Sequence, residues 1–536
     1  GVGLGEGKFD FVSAIAMRDG IVTATGTDET LLKTKGPKTQ LVDLGGAFTM
    51  PGINDAHTHI AAAGRIQLSV DLTGSKSLEE MLDRVTRAAK AAPAGKWLQG
   101  GGWDHTLWPQ KTLPTRQELD AVTNGHPAIF ERVDGHIAIA NTAALEAAGI
   151  TRSTPDPKGG KFDHDSAGEL TGIVREDPAM EMVFKVIPPP TPAERKRALS
   201  LALADASFHG ITSLQDYSEW DDFLVMEQLE REDHLPVRVS EWLTFNDPIG
   251  TLTEHRAHHS SGDRMLHTGM LKGFMDGSLG SRTAALNAPY ADDAGNSGIP
   301  RYDQAKLDAM TKERAAAQFQ MGFHAIGDRA VEMALDAFAT EKDQPCQAGI
   351  DGKVASRNPC IPRPRIEHSQ VLDAPDFARY KQLGVIASMQ PNHLLTDMAW
   401  AEQRLGHDRA RYSYAWKSFL DHGVQLAFGT DYPVEPITPF RGIYAAVTRE
   451  NEAGTQSYFP EEKLTIAQAL YAYTQGSAYA EFSESYKGTL ASGMVADFIV
   501  LDRDLTRIPP HEILGTKVLR TVVAGHPTYF ANVVTR

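Results

Sequence analysis

Short apolar runs alternate with amphipathic stretches through the middle of the chain. Eight of these runs have the pattern of strands, and each ends in a polar residue or a glycine. They cover residues 50–58, 211–217, 237–244, 271–276, 322–326, 365–368, 385–390 and 426–431. Because helical patterns follow the runs, the rhythm predicts parallel strands joined by helices. Eight such units predict a closed α/β barrel of the (β/α)8 TIM type, whose chemistry lies at the carboxyl ends of its strands.

The two ends of the chain are rich in β-type residues instead. Residues 11–26 form two such runs around an Asp-Gly turn, which predicts a hairpin. Residues 496–502 and 518–523 predict two more strands near the other end. The economical interpretation is that both termini build one small β-sandwich and that the barrel is inserted into it.

About 150 residues separate the first two barrel strands, which is far too many for a simple connection. This segment has strand patterns at 97–104 and 128–140 and helix patterns at 78–91 and 193–208. It is therefore predicted to be an inserted α/β subdomain near the barrel mouth, where it would shape a substrate pocket. The predicted parts are a β-sandwich (1–47 plus 487–536), a barrel (48–60 plus 206–486) and an insertion (61–205).

Charge and composition indicate which kinds of molecule the protein binds. The chain has 536 residues, of which 41% are hydrophobic and 23% charged, as in globular proteins. Its net charge of −16 opposes binding to nucleic acid or anionic lipid. No apolar run approaches the roughly 18 residues that a membrane span needs. We therefore expect a small-molecule substrate, no nucleic acid and no membrane; a homo-oligomer is compatible with these numbers.

The compartment stays open at this level. Cys346 and Cys360 are too few and too poorly spaced for a zinc knuckle, but they could close a short disulfide loop, which would indicate a periplasmic or secreted protein. The alternative is two unpaired thiols in a surface insertion of a cytoplasmic protein. No signal peptide is visible, and the abrupt start at Gly1 suggests that an upstream segment is missing.

The candidate chemistry begins with a histidine pair. His57 and His59 are two residues apart on the first strand, so their side chains share a face and can chelate a divalent metal. Taken alone, the pair could also be two loop histidines that arose by chance. His324, His368 and Asp431 end the fifth, sixth and eighth strands, at the same end of the barrel. Five metal-competent residues on four strand ends are hard to explain by packing, which favours Val, Ile or Leu there.

These residues carry a family resemblance over nearly the whole chain. The Asp-x-His-x-His strand, the two later histidines and the late aspartate resemble the amidohydrolase superfamily, as does the return segment 488–502. Residues 131–150 ("ERVDGHIAIANTAALEAAGI") and 271–286 ("LKGFMDGSLGSRTAAL") resemble its YtcJ-like branch, which includes the N-substituted formamide deformylases.

The resemblance implies two divalent metals, most simply zinc, bridged by a lysine that CO2 has carboxylated. Lys272 occupies the corresponding place on the fourth strand. The alternatives are an ordinary lysine paired with Asp276 or Asp431, and Glu176 as the source of the bridging carboxylate.

The same residues imply a hydrolytic mechanism. Two metals would lower the pKa of a shared water, and Asp431 would take its proton and pass it to the leaving amine. His136, Arg282 and His393 are candidates to steady the carbonyl oxygen, although each is as easily a structural hydrogen-bonding residue.

Substrate contacts are predicted mainly on the insertion and beside Asp431. Trp103, Asp104, Trp108, Arg132 and Tyr432 are candidates for the pocket wall, and the two tryptophans could equally be core residues.

Three functions remain open from the sequence. The first is hydrolysis of a non-peptide C–N bond in a linear amide, N-formyl group or carbamate. The second applies the same site to a cyclic amide, lactone, ester or heterocyclic amine. The third is a barrel that keeps metal without catalysis, which the presence of Asp431 disfavours because a structural site has little need of a base.

Overall fold

A computed structural model describes residues 9–340 and 363–531 of the chain. Cys346 and Cys360 lie outside the described residues, so their disulfide stays a prediction. The chain divides into two compact units, one formed by Gly1–Ala62 with Leu199–Arg536 and the other by Ala63–Ala198. Within the described residues, no helix combines the length and the apolar character that crossing a membrane would require.

The first unit contains an eight-stranded parallel sheet, and this confirms the predicted (β/α)8 TIM-like barrel. Each strand pairs in parallel with the next one along the chain. The barrel strands, numbered first to eighth, are Ile53–Thr58, Ile211–Asp216, Arg238–Thr244, Leu266–Phe274, Met321–Ala325, Arg365–His368, Ile386–Met389 and Leu426–Phe428.

Backbone contacts close the barrel between its first and eighth strands. The His59 amide donates to the Tyr432 carbonyl at 2.8 Å, and the Asp431 amide donates to the His57 carbonyl at 2.8 Å. Thr58 and Tyr432 form the parallel bridge between these contacts. The last junction of the barrel is therefore made by the backbone of three predicted ligands and their neighbours.

The first predicted strand, 50–58, is in fact two strands that belong to different sheets. Phe48–Pro51 pairs antiparallel with Phe498–Leu501, whereas Ile53–Thr58 pairs with the second barrel strand. The break is at Gly52, where a Cβ atom would lie only 2.1 Å from Oγ1 of Thr212. Only glycine lets the chain pass between the sheets this closely.

Strands from both ends of the chain meet in one antiparallel sheet of four. Its order is His526–Phe530, Val518–Val523, Phe498–Leu501 and Phe48–Pro51. The predicted hairpin at 11–26 is present as Ala14–Arg18 and Ile21–Gly26, and a bridge joins Ile21 to Val495. Val22 shares a small core with apolar residues of the terminal sheet, including Phe498 and Val522.

Helices follow most of the barrel strands. In the first unit, including two that cross its boundaries, they are Asp28–Leu32, Ile60–Leu68, Pro192–Phe208, Trp220–Arg231, Ile249–His258, Gln304–Ala316, Asp328–Ala339, Asp376–Leu383, His393–Asp397, Ala401–Leu405, His407–Ala410, Trp416–Asp421, Pro439–Thr448, Ile466–Tyr471 and Ser477–Ala480. A π-helical turn covers Ala472–Gly476, and 3-10 turns cover Pro460–Glu462 and Pro510–Gly515.

The Ala63–Ala198 unit is a mixed sheet with its own helices. Its strands, in spatial order, are Val70–Asp71, Leu98–Trp103, Ala128–Arg132, Ile137–Ala140, Leu170–Arg175 and Lys161–His164. Its helices are Leu78–Ala91, Arg116–Asp120, Thr142–Ala147 and Asp177–Phe184, with a 3-10 turn at His105–Leu107. Two apolar clusters fill this unit, and both consist of its own residues.

Candidate metal centre

The predicted ligands of the first and eighth strands converge on one carboxylate oxygen. Nε2 of His59 lies 3.2 Å from Oδ1 of Asp431, and Nε2 of His57 lies 3.6 Å from the same atom. His57 is fully buried, and Asp431 is 5% exposed. One ligand atom from each of these three residues can be chosen so that all lie within 4.8 Å of one another, as a shared metal requires.

Asp431 also belongs to a second group of the same kind, with His368 and His393. Nε2 of His393 lies 3.4 Å from Oδ2 of Asp431, and the His368 and His393 rings are 5.9 Å apart. His393 begins a helix after the seventh strand; the sequence suggested it only as a substrate contact. The structure places it among the candidate ligands as well, and its contact with substrate stays a prediction.

His324 borders this second group. Its ring centroid is 4.4 Å from that of His368. Its Nε2 lies 3.1 Å from the carbonyl oxygen of Gly277 and 3.5 Å from Oδ1 of Asp276. His324 is therefore adjacent to the cluster, with one ring nitrogen directed away at the protein backbone.

Lys272 is buried beside the first group. Its Nζ lies 3.0 Å from Nε2 of His57, and the residue is 1% exposed. Within the described ranges it forms no ion pair with Asp276 or Asp431. The amine therefore contacts the His57 ring, and the carboxylates of Glu367 and Asp431 act on it without forming an ion pair.

Unsatisfied buried atoms test whether these residues suit a metal. Nδ1 of His368, Nε2 of His393 and Oδ1 of Asp431 are buried and form no hydrogen bond among the described residues. The ring nitrogens of His59 and His393 approach Asp431 to 3.2 and 3.4 Å, but these contacts lack hydrogen-bond geometry. Leaving polar atoms unpaired in a protein interior is costly. Imidazole nitrogens together with a carboxylate oxygen are good ligands for zinc and related ions. The residues present fit a divalent metal.

The protonation states suit metal binding as well. Burial, reinforced by Lys272, lowers the pKa of His57 to about 4 and that of His324 to about 3. Burial and then the neighbouring His324 lower the pKa of His368 well below its usual value. Near neutral pH these rings are uncharged, which is the form that ligates metals.

The charged groups of the cluster respond differently to burial. Burial alone would raise the pKa of Asp431, but His57, His393 and His59 hold that pKa well below its usual range. Burial lowers the pKa of Lys272 to about 8, against the opposing effect of nearby carboxylates. Asp431 is therefore ionised near neutrality, and the Lys272 amine is deprotonated more readily than an exposed lysine.

Glu367 is a residue of this site that the sequence did not suggest. Its Oε2 accepts a hydrogen bond from Nδ1 of His57 at 2.7 Å, and both side chains are fully buried. Burial would raise the pKa of Glu367, but Arg365 and His57 lower it to about 2. An acid inside a strand, directly before the candidate ligand His368, was the available signal. Strict alternation would place neighbours on opposite faces, but His368 has a φ of 72° and breaks that alternation.

Asp55, the first residue of the Asp-x-His-x-His motif, ties the first strand to the eighth. Its Oδ1 accepts from the amides of His57 (3.2 Å) and Thr430 (2.9 Å). Its Oδ2 accepts from the Thr430 hydroxyl at 2.6 Å. Burial raises the pKa of Asp55 to about 7. This carboxyl group therefore fixes the backbone at His57 and next to Asp431, two of the candidate ligands.

Two candidate substrate residues of the first unit are engaged in pairs of their own. Arg282 forms a two-pronged ion pair with Asp292, at 3.1 and 2.9 Å. The Tyr432 hydroxyl donates to Asp205 at 2.9 Å. Their proposed contact with substrate stays a prediction.

The candidates on the Ala63–Ala198 unit also have local partners. Trp103 and Trp108 are buried in its apolar core, and Arg132 donates to Asp104 at 2.7 Å. His136 pairs with Glu176 at 2.9 Å, and both side chains are more than half exposed. Neither His136 nor Glu176 joins the candidate ligand groups found among the described residues. Packing thus accounts for the two tryptophans, and a substrate contact for any of these residues stays a prediction.

Known proteins resemble this chain over nearly its whole length. The sequence profile of the amidohydrolase family matches residues 40–529. YtcJ of Bacillus subtilis (strain 168) is 32% identical over 97% of this chain and 96% of its own. The N-substituted formamide deformylase of Arthrobacter pascens is 25% identical, over 96% of this chain and 94% of its own.

A solved structure extends the agreement to three dimensions. An uncharacterized metal-dependent hydrolase from Pyrococcus horikoshii OT3 superposes with a TM-score of 0.77 at 30% identity. The match covers 94% of this chain and 96% of that one. The chain therefore belongs to the amidohydrolase family, in its YtcJ-like branch, and is a hydrolase by that membership.

Proposed function

We propose that this protein hydrolyses a non-peptide C–N bond in a small molecule: a linear amide, an N-formyl group or a carbamate. The observation that carries the proposal is that Asp431 lies in both candidate ligand groups, with buried unpartnered atoms around it. The proposed metal ligands are His57, His59, Lys272, His324, His368 and Asp431, with His393 beside them.

A pair of zinc ions at these ligands would lower the pKa of a water molecule and polarise the substrate carbonyl. The protein's own contribution begins with Asp431. Because the surrounding histidines keep this carboxylate ionised, it can accept a proton from the attacking water. It would then deliver that proton to the departing amine nitrogen, so the carboxylate is regenerated in each turnover.

Lys272 is proposed to carry a carboxylate. Its neutral Nζ would add to the carbon of CO2 and lose one proton, which leaves a carbamate of one negative charge. The lowered pKa of the amine makes the neutral form accessible. The distance of 3.0 Å between Nζ and Nε2 of His57 supports this proposal, because a carbamate formed there would lie near the proposed ligands. An unmodified lysine is the competing possibility.

The preference for a linear C–N bond draws on a relative. The N-substituted formamide deformylase matches over 96% of this chain, which makes N-formyl compounds the first substrates to test. A cyclic amide, lactone, ester or heterocyclic amine would use the same residues, so the test must separate these classes.

The experiment is a hydrolysis panel with zinc-loaded protein. It compares N-substituted formamides and linear amides with cyclic amides, lactones and heterocyclic amines. We expect turnover to be concentrated in the first group. Turnover confined to the second group would contradict the linear assignment, and no turnover of any compound by metal-loaded protein would contradict hydrolysis at this site.

The Asp431→Asn variant tests the proton transfer. Loss of a general base typically costs on the order of 10²–10⁴-fold, so kcat should fall by about that factor. Metal content must be measured on the same sample, because Asp431 is also a proposed ligand. A variant with full metal occupancy and near wild-type kcat would show that Asp431 moves no proton.

A further inference from the structure

Glu367 is the only described carboxylate that accepts a hydrogen bond from Nδ1 of His57. With Nδ1 carrying the proton, Nε2 of the ring is left with its lone pair. That atom faces Nζ of Lys272 at 3.0 Å and Oδ1 of Asp431 at 3.6 Å. The orientation that Glu367 imposes is thus the one in which His57 can bind a metal.

A second group near the ring would favour the opposite tautomer. Nε2 of Gln390 lies 3.4 Å from Nδ1 of His57, and an amide nitrogen can only donate. A donor at this position requires an unprotonated Nδ1, which would move the proton to Nε2. The contact from Glu367 is shorter, at 2.7 Å, and charged, so it prevails.

Glu367 is itself fixed by an arginine two residues earlier on the same strand. Nε of Arg365 donates to Oε1 of Glu367 at 2.9 Å, and Arg365 is fully buried. Nη2 of Arg365 donates to the Ala56 carbonyl at 2.9 Å and to the Ser388 hydroxyl at 2.9 Å, and Nη1 donates to Gln215. The guanidinium thus joins the first, second, sixth and seventh strands.

The hydrogen bonds continue from Gln215 through the interior of the barrel. Nε2 of Gln215 donates to the carbonyl of Ser477 at 2.8 Å and lies 3.4 Å from Oδ1 of Asn54. Nδ2 of Asn54 donates to Glu481 at 2.6 Å. Glu481 pairs with Lys487 at 2.7 Å. A continuous polar path therefore connects His57 with the segment that precedes the terminal strands.

We infer that Glu367 and Arg365 are positioning residues that set the tautomer and orientation of His57 for metal binding. The inference rests on the proposed function only in that His57 binds a metal, and it requires no particular substrate. Carboxylates that orient a ligating histidine in this way typically change metal affinity by about 10–100-fold when removed.

The test is the metal affinity of the full-length Glu367→Gln variant, measured by competition between apoprotein and a zinc chelator. The substitution keeps the shape but replaces the acceptor with a group that can donate to Nδ1. We expect zinc affinity to fall by about 10–100-fold. Glu367→Asp, which keeps the acceptor, should recover part of this loss. In cobalt-substituted protein, the absorption bands of the metal should shift in Glu367→Gln.

Asp497→Asn is the matched control. Asp497 is another buried carboxylate of the same unit, and it accepts from Nε of Arg238 at 2.6 Å and from Nη2 at 2.9 Å. It contacts no proposed ligand, so its loss should lower stability and leave zinc affinity and the cobalt spectrum unchanged.

The outcomes separate this inference from the proposed function. A folded Glu367→Gln protein with wild-type zinc affinity would overturn the positioning role, whatever the enzyme hydrolyses. An equal loss of affinity in Asp497→Asn would also overturn it, because the effect would then reflect general loosening. Wild-type protein that binds zinc but cleaves none of the panel would contradict only the proposed reaction.

Discussion

At the scale of single residues, burial changes the pKa values of the groups in the candidate centre in different directions. Burial favours the uncharged form of His57, His324 and His368. The pKa of Asp431 is instead held low by its contacts with His57, His393 and His59. Lys272 lies between these extremes, with a pKa lowered to about 8. The residues that carry these roles were largely evident in the sequence. Glu367 was not, because its importance comes from a contact with a strand 310 positions away.

Lys272→Ala is the residue-scale test of the proposed bridge. We expect the purified variant to lose most of its bound metal and its activity, because the carbamate would supply oxygen ligands that alanine lacks. Short carboxylic acids added to the apoprotein with zinc should restore part of both. Elemental analysis and hydrolysis assays measure the effect, and mass spectrometry or crystallography shows the modification. An unmodified Lys272 in fully metallated wild-type protein would refute the bridge.

At the scale of elements, the pattern of apolar runs predicted all eight barrel strands. Several boundaries differ by one or two residues, and the eighth strand ends at Phe428 rather than at 431. Two other boundaries differ for identifiable reasons. The first strand is divided at Gly52 because the chain changes sheets there, which local pattern does not reveal. The fourth strand begins at Leu266 rather than 271. Its opening residues "LHTGM" include His267 and Gly269, which interrupt the apolar run although the backbone is already paired.

A buried ion pair outside the candidate centre makes a separate prediction about stability. Lys487 pairs with Glu481 at 2.7 Å, and the two side chains are 4% and 3% exposed. Removing one partner of a buried pair typically costs about 3–5 kcal/mol, because the other charge is left uncompensated. Lys487→Met should therefore lower the free energy of unfolding by about that amount in denaturant titrations.

Two further variants make this stability measurement specific. Lys487→Met combined with Glu481→Gln should regain part of the loss, because no buried charge remains unpaired. Lys417→Met removes an exposed partner of Asp421, whose side chain is 60% exposed, and should change stability by no more than about 1 kcal/mol. If the buried and exposed substitutions cost the same, the buried ion pair does not stabilise the fold.

At the scale of the whole molecule, the sequence predicted an inserted segment, and Ala63–Ala198 forms a compact unit. The predicted limits, 61–205, are wider than that unit. The helices Ile60–Leu68 and Pro192–Phe208 run across both limits without interruption. The chain has no linker of distinct composition where one compact unit ends and the other begins. The sequence therefore could not locate these boundaries.

Removal of the metal should lower the stability of the folded protein. A metal that binds only the folded protein stabilises it by about 2.7 kcal/mol when its free concentration is 100 times its Kd. Calorimetry should therefore show a higher Tm with zinc than after treatment with a chelator. The double variant His57→Ala, His59→Ala should show no such difference. Equal Tm values for metal-loaded and metal-depleted wild-type protein would contradict a specific site.

The stabilisation by bound metal should be concentrated where the barrel closes, between its first and eighth strands. The amide of Asp431 and the amide of His59 make the hydrogen bonds that join the last strand to the first. A metal held by the same residues would link the two strands, so its release should let the hydrogen bonds of this junction open more often. Hydrogen exchange at those two amides should accelerate in metal-depleted protein, while amides between the fourth and fifth strands keep their protection. The stability of the junction between the first and eighth strands would thus depend on the bound metal.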